Sequence, residues 1–355
     1  MTDAGGRVRH WHVTDWNRLH LERGESPGLS HGTLRLRTLA ASLNHRDLRM
    51  IEGRYDRRIP LPLVPLSDAV GEVVEVGPGV RRVEVGDRVC PTFSPTWIAG
   101  PPDWDAVRLT RGGAVPGVLA EELVVGEHEV VRVPEHLDAA EAATLPCAAL
   151  TAWSALEGVV PGDTVLVLGT GGVSIFALQF ARLRGARVLA TTSSERKAQV
   201  LRALGADLVI RYDQEPRWGR EARRAAGAGV DRVIEVGGVG TLEQSLDAVR
   251  PGGTVASIGV VAGDAGAPPL FPVFMKAVRL QGVFVGSREQ FEAMNRAVAL
   301  HRLRPVVDEV FAFEEAPGAF ERLASGGHVG KVCVAVDPSV ATGPRPLPGA
   351  APASS

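Results

Sequence analysis

The 355-residue chain reads as a mixed α/β protein, with a β-rich first part followed by a doubly wound parallel sheet whose strands alternate with helices. Three observations predict this. Apolar residues alternate at period two over Ala69–Val76 and Arg82–Val89, on either side of the turn signal Gly77-Pro78-Gly79. From about Ala139 the pattern changes to strands alternating with helical stretches. The apolar run Val165–Leu168 stops at a glycine cluster and passes at once into a helix-period segment ending near Leu183.

Taken along the chain, the part to about Val130 predicts a compact antiparallel β domain. Within it, Pro91–Gly117 carries many prolines and glycines with Trp97 and Trp104, which predicts a long surface loop of the lid or binding type. Strands are expected at Val165–Leu168, Arg187–Ala190, Leu208–Ile210, Arg232–Val236, Thr254–Val260 and Leu280–Val285, with helices between most of them. Gln290–His301 reads as a helix, and Val306–Val336 returns to short strands. The expected division is a first domain of residues 1–130 completed by 302–337, and a cofactor domain of 131–301. The tail 338–355, rich in proline and small residues, is expected to be disordered.

Composition narrows the function. Hydrophobic residues make up 45%, ordinary for a protein with a sizeable core. The formal charge of -2 and the lack of a basic stripe argue against a nucleic-acid partner. Cys90, Cys147 and Cys333 are scattered and odd in number, which fits a reducing cytoplasm rather than a disulfide framework. The N-terminus is polar and shows no secretion signal. Thr164–Ala181 is uncharged, but its glycines and Thr170, Ser174 and Gln179 suit a buried strand–turn–helix better than a membrane span. A small-molecule substrate is expected, with no membrane or nucleic-acid partner.

The spacing Gly169-x-Gly171-x-x-Ser174 is a dinucleotide-binding fingerprint with serine in the third glycine place. Backbone N–H groups of Gly169, Thr170, Gly171, Gly172 and Val173 at a helix start favour a phosphate. The second strand of this unit ends in Thr191-Thr192-Ser193-Ser194, with no acidic residue to hold a ribose 2′-hydroxyl before Glu195, which starts the next helix. Thr192, Ser193, Arg196 and Lys197 suit a 2′-phosphate, so the expected cofactor is NADP(H).

Asn44-His-Arg-Asp47, Pro65-Leu-Ser-Asp68 with Gly71-Glu-Val-Val74, Val85-Gly-Asp-Arg-Val89, Leu145-Pro-Cys-Ala-Ala-Leu-Thr-Ala-Trp153, Gly169–Val173 and Gly327-His-Val-Gly-Lys331 occur in this order. Over roughly residues 10–337 the chain resembles the medium-chain dehydrogenase/reductase superfamily, and most of all its zinc-free, quinone-oxidoreductase-like branch. The resemblance implies a GroES-like catalytic domain, a Rossmann cofactor domain, and a homodimer or higher homo-oligomer. Zinc enzymes of the superfamily carry cysteine where this chain has Asn44, Gly-His-Glu where it has Leu66-Ser67-Asp68, and a second cysteine near Cys147. One soft ligand is too few, since catalytic zinc takes three protein ligands. The region of the structural zinc has only Cys90. No metal is expected, and Cys147 reads as a buried small hydrophobe.

By the same resemblance Asn44 donates an amide N–H to a substrate oxygen, and Tyr55 bonds a carbonyl or supplies a proton. His45 is a proton donor in one reading and a half-buried structural histidine in the other; Asp47 is a structural anchor. Thr151 lies near the nicotinamide and Tyr212 on the adenosine side. Gly237, Ile258, Gly259, Val260, Val285 and Ser287 form strand-end elements facing the cofactor, with Lys331 as a further contact. Each also fits a residue required only for backbone geometry. Reducing a simple ketone without a Lewis acid is hard, whereas hydride addition to a conjugated double bond moves charge to an oxygen that hydrogen bonds can hold. The expected activity is therefore NADPH-dependent reduction of an enone, enoyl compound or quinone. The alternatives are zinc-independent alcohol or ketone dehydrogenation, and a non-catalytic or non-redox NADPH-binding relative.

Overall fold

The structure is a computed structural model that describes residues 7–56, 58–263, 265–267 and 269–349. The chain forms two units, one of residues 1–150 with 286–345 and one of 151–285 with the residues from 346 onward.

The first unit opens with an antiparallel ribbon of β1 (Arg7–Asp15) and β2 (Arg18–Glu25). β3 (Thr33–Ser42) follows, then helix α1 (His45–Ile51) and β4 (Asp68–Val76), β5 (Arg88–Pro91), α2 (Trp104–Arg108), β6 (Glu122–Gly126) and β7 (Val130–Arg132). Along β3, Leu34 and Leu36 point into the core while Arg35 and Arg37 face outward, as expected of a sheet solvated on one side. The alternation of Arg82–Val89 yields a strand only from Arg88. Val85 and Gly86 form a turn, and the Glu84 N–H donates to Asp87 Oδ2 at 2.9 Å across it. The segment 91–117 is not merely a surface loop. Phe93, Trp97, Ala106 and Arg111 are buried, while Trp104 is 73% exposed. At its end the backbone of Gly117 lies so close to Pro65 that a Cβ would meet the Pro65 carbonyl oxygen at 2.2 Å. Short helix α3 (Ala139–Ala142) and a π-helical turn over Leu145–Ala149 close this part, and α4 (Leu150–Ala155) leads into the second unit.

The second unit is a six-stranded sheet, all parallel: β8 (Thr164–Leu168), β9 (Arg187–Thr192), β10 (Leu208–Arg211), β11 (Val230–Glu235), β12 (Val249–Ser257) and β13 (Arg279–Gly282). Its order is β10-β9-β8-β11-β12-β13, the doubly wound order, with the topological switch between β8 and β11. All six expected strands are present. α5 (Gly172–Leu183), α6 (Glu195–Ala203), α7 (Trp218–Ala225), α8 (Val239–Ala248) and α9 (Leu270–Met275) connect them. β8 is buried at every residue, which is why it reads as an unbroken apolar run.

The chain returns to the first unit with α10 (Arg288–Leu300), β14 (Val307–Ala312), α11 (Ala316–Ala324), β15 (Lys331–Ala335) and β16 (Gly343–Pro344). The large sheet there runs β16-β14-β15-β3-β4-β5-β7, with β6 also pairing with β3. The unit boundaries fall later and earlier than the sequence suggests, at 150 and 286, because α10 is tied to the β domain. Asn295 Nδ2 donates to the Arg132 carbonyl at 2.8 Å, and the Arg288 N–H to that of Trp97 at 2.9 Å. The expected disordered tail is ordered over its first part: β16 pairs with β14, and the Arg345 N–H donates to the Asp308 carbonyl at 2.9 Å. Residues 350–355 of that tail lie outside the described residues.

Candidate active site

In the first unit, three strand ends and the π-helical turn converge on one buried polar cluster. β3 runs out at Ser42, and Asn44 caps α1 in an extended conformation. The Asn44 N–H donates to Asp47 Oδ2 at 2.7 Å. Register places Asp68, the first residue of β4, opposite Ser42. Asp68 is fully buried and accepts from Ser67 Oγ at 2.6 Å and from the Cys147 N–H at 3.1 Å. That last donor is set by the π-helical turn, where Pro146 interrupts regular bonding. β15 begins at Lys331, which is 3% exposed; its ammonium donates to the Leu43 carbonyl at 2.5 Å and to Asn44 Oδ1 at 2.6 Å.

A lysine ammonium only donates, so the Lys331 contact fixes which end of the Asn44 amide is oxygen. The other end, Nδ2, is buried and has no hydrogen-bond partner of good geometry among the described residues. Asp68 draws on that amide weakly: burial raises the Asp68 carboxyl, while Lys331, Ser67, the Asn44 amide and the Cys147 N–H pull it back. An amide nitrogen carries two hydrogens, so one remains to be offered. Burial also lifts Asp47 to about 6, against the pull of Arg46 and the Asn44 N–H.

These donors do not fit zinc. Burial, then Asp68, push the Cys147 thiol well above the usual thiol range, and zinc binds thiolate. Asn44 offers an amide oxygen already held by Lys331, and a fixed cation stands where a second would have to enter. Among the described residues, no group of three metal-ligating side chains forms at Cys147 and Asp68.

His45 opens α1 and is exposed; partial desolvation, then Arg49 and Arg54, lower its pKa, so it is neutral at pH 7. Tyr55 is 44% exposed and lies against the Arg46 guanidinium, 5.2 Å from the ring centre. Sequence reasoning missed Arg46. It stacks on Phe93 at 4.6 Å and donates to the Arg111 carbonyl at 2.8 Å and to Thr110 Oγ1 at 3.1 Å, so it pins the 91–117 segment beside Asn44. It also missed the roles of Asp68 and Lys331 as a buried charge pair. The signal was available, since each is a charged residue at the start of a strand whose next residues are apolar.

In the second unit the glycine turn follows β8 as expected. Gly169 has φ +74 and Gly171 caps α5; a Cβ at either would meet nothing within 4 Å, which leaves an open cradle at a helix N-terminus. Thr170 is buried, and Gly172 and Val173 form the first turn of α5. Ser174 Oγ donates to the Leu168 carbonyl at 2.6 Å, locking helix to strand. At the tip of β9, Thr192 is buried with Oγ1 unpartnered among the described residues, whereas Ser193 and Arg196 are exposed and Lys197 is half-buried. Glu195 does start α6, and it is paired with Arg202 at 2.6 Å and Arg211 at 3.6 Å. Tyr212 is 44% exposed, its N–H bonded to the Thr192 carbonyl.

Gly237 follows β11, beside the switch point. Its N–H and that of Gly238 donate to Glu235 Oε1 at 2.7 and 3.1 Å, as does Thr241 Oγ1 at 2.6 Å; Ser245 bonds the other oxygen. Buried Glu235 therefore shapes this turn, another role the sequence reading missed. Ile258, Gly259 and Val260 leave β12 half-buried, and Thr151 is buried in α4. Val285 is buried with φ +44, an uncommon conformation for a β-branched residue. Ser287, expected among cofactor contacts, caps α10: it accepts from the Gln290 N–H at 3.2 Å and donates its own N–H to Gln290 Oε1 at 2.9 Å. Lys331, expected beside them, is part of the Asn44 cluster.

The chain is similar in sequence and fold to known proteins. Residues 172–299 match the zinc-binding dehydrogenase family, and residues 30–135 match the alcohol dehydrogenase GroES-like domain. A zinc-type alcohol dehydrogenase-like protein of Schizosaccharomyces pombe is 39% identical over 341 residues, covering 93% of this chain and 99% of that protein. The 2-methylene-furan-3-one reductase of Solanum lycopersicum is 31% identical over 338 residues, covering 92% of this chain and 79% of its own. A solved structure from Sinorhizobium meliloti 1021 superposes with a TM-score of 0.87 at 39% identity, over 94% of this chain and 100% of that one.

Proposed function

We propose a reductase that works without zinc, starting from the premise that this chain belongs to the medium-chain, zinc-type alcohol dehydrogenase superfamily of oxidoreductases. The substrate class in this reading is an enone, an enoyl compound or a quinone, and the cofactor is NADPH. The observation that carries it is the Lys331 ammonium bonded to Asn44 Oδ1 inside the cluster of Asn44, Asp68 and Cys147. A buried amine supplies the positive charge that a metal would, but it cannot bind a substrate oxygen as a Lewis acid does. It turns the Asn44 amide so that Nδ2 is the donor.

NADPH, when bound, supplies the hydride. Reduction of a conjugated C=C develops charge on the carbonyl oxygen rather than at the carbon attacked, and one preorganised donor there contributes roughly 3 kcal/mol to the barrier. Asn44 Nδ2 is that donor, held by Lys331 and backed by the buried Asp68. His45 is neutral at pH 7 and is a poor acid, so Tyr55 delivers the proton. The reductase relative from Solanum lycopersicum supports this substrate class.

NADPH is preferred over NADH in this reading because Ser193 and Arg196 are exposed at the tip of β9, and the nearby carboxylate of Glu195 is engaged by two arginines. The cradle at Gly169 and Gly171 and the spare Thr192 hydroxyl suit the pyrophosphate and the adenosine side. The assembly we propose is a homodimer.

The test follows nucleotide absorbance at 340 nm with NADPH and NADH, against a quinone, a cyclic enone, an α,β-unsaturated thioester, and a ketone with its alcohol, each with and without chelator. Chelator-insensitive oxidation of NADPH by an enone, enoyl thioester or quinone supports the reading. Chelator-sensitive turnover of the alcohol, the activity named for several relatives, overturns it.

A further inference from the structure

Away from the cluster just described, the β1–β2 ribbon carries a second constellation. His10 and His12 lie two residues apart on β1 and therefore share a face. Register sets Glu22 opposite His10 and His20 opposite His12, so all four side chains belong to that face. The two imidazole rings are 4.3 Å apart between centres, tilted by 43°, and His12 Nδ1 lies 3.3 Å from Glu22 Oε2. One ligand atom from each of His10, His12 and Glu22 falls within 4.8 Å of the other two. Tetrahedral ligands at about 2.1 Å from a zinc ion stand about 3.4 Å from one another, so a small side-chain adjustment closes the set. Gly24 gives the His10 ring its room: a Cβ there would meet His10 Cε1 at 2.6 Å.

We propose that His10, His12 and Glu22 form a divalent transition-metal site, with zinc as the natural occupant and His20 or water completing the coordination. Imidazole and carboxylate are the donors that zinc takes outside sulfur sites. The groups also need a counter-charge: two imidazoles held together favour a cation only if it binds both, and Glu22 supplies the negative charge. The site bridges two strands that form a sheet of their own, so the ion acts as a clasp on the ribbon and not as part of the reaction.

The proposal has a practical consequence for a member of a zinc-named family, because zinc found by elemental analysis would sit on this ribbon and not at Cys147. The test uses the full chain, stripped with chelator, dialysed, and titrated with zinc against a chromophoric competitor. Wild type binds one equivalent at micromolar zinc or below. His12→Ala and, separately, the near-isosteric Glu22→Gln raise the dissociation constant at least about tenfold, while Cys147→Ser leaves it unchanged. Zinc raises the unfolding midpoint of wild type and not of His12→Ala. The proposal fails if wild type binds no zinc at micromolar concentration, or if zinc binding survives both ribbon substitutions. Loss in Cys147→Ser alone would place the ion in the cluster instead and overturn it as well. Circular dichroism of Glu22→Gln confirms that the ribbon variant is folded before either result is read.

Discussion

Lys331 does at one position what several residues would have to do otherwise: it bonds the Leu43 carbonyl, orients Asn44, and balances the buried Asp68. Removing one member of a buried charge pair leaves the other uncompensated, at a cost of about 3–5 kcal/mol. Lys331→Met should therefore lose about that much in urea unfolding. Asp68→Asn with Lys331→Met should lose less than the sum of the two, with a coupling of about 1–3 kcal/mol. Additive losses would mean that the two charges do not depend on each other. Asp47 adds a pH effect of definite sign. Its folded pKa of about 6 lies above the ordinary 3.8, so folding is favoured when it is protonated; that contribution is complete below about pH 4 and is lost as pH rises through 6. Between pH 7.5 and pH 5 the gain from this group is about 1.4 kcal/mol. In Asp47→Asn the change in stability between those two pH values should be less favourable by that amount, because the amide that replaces the carboxyl still accepts from the Asn44 N–H but no longer titrates. Identical pH profiles for the two proteins would show that Asp47 is not the proton holder.

At the scale of the element, the strand–turn–helix from β8 to α5 lends itself to separating fold from function. Gly171 has φ −70, which alanine adopts freely, and its Cβ would meet no protein atom within 4 Å. Gly171→Ala should change stability by less than about 1 kcal/mol while weakening NADPH binding at least about tenfold, measured by nucleotide fluorescence beside urea unfolding, because the missing Cβ is where a pyrophosphate approaches. Unchanged affinity would remove this turn from the cofactor site. Arg196→Glu extends the argument to the tip of β9: it should weaken NADPH far more than NADH, since only the former carries a 2′-phosphate. Equal losses for both nucleotides would defeat the phosphate reading. The same element shows why some structure is legible in sequence and some is not. The all-apolar run of β8, the glycine turn and the helix-period face of α5 are local patterns, and they gave the strand, its order in the chain and its ends nearly to the residue. The Asn44 cluster is non-local: Asn44 and Lys331 lie 287 residues apart, and nothing in either neighbourhood announces the other. The capping role of Ser287 is hard to read for a related reason. A serine after a strand-like run resembles a cofactor contact, and the cap is recognised only by pairing it with Gln290 three residues on.

For the whole molecule, the open question is what covers the outer edge of the second unit. β13 ends the six-stranded sheet, and all four of its residues are exposed. An uncovered edge strand presents unpaired N–H and carbonyl groups that invite another strand. Beside it in sequence, α9 exposes Leu270, Phe271, Phe274 and Met275, each by 60% or more, and β13 adds Leu280 at 41%. Contiguous exposed apolar side chains of this kind support the homodimer proposed above. A second copy of the chain is the occupant that satisfies both halves of the surface, since a two-fold axis at the edge would pair one β13 with its partner and bring the two apolar helices into a shared core. Light scattering on the eluting protein should give twice the chain mass at micromolar concentration. Phe274→Asp, which places a charge in the apolar patch, should move the mass toward that of one chain. The single-chain variant should keep its NADPH affinity if the cofactor site lies wholly within one chain. A wild type that runs as one chain would refute the dimer, and a Phe274→Asp variant that stays paired would move the interface elsewhere on the molecule.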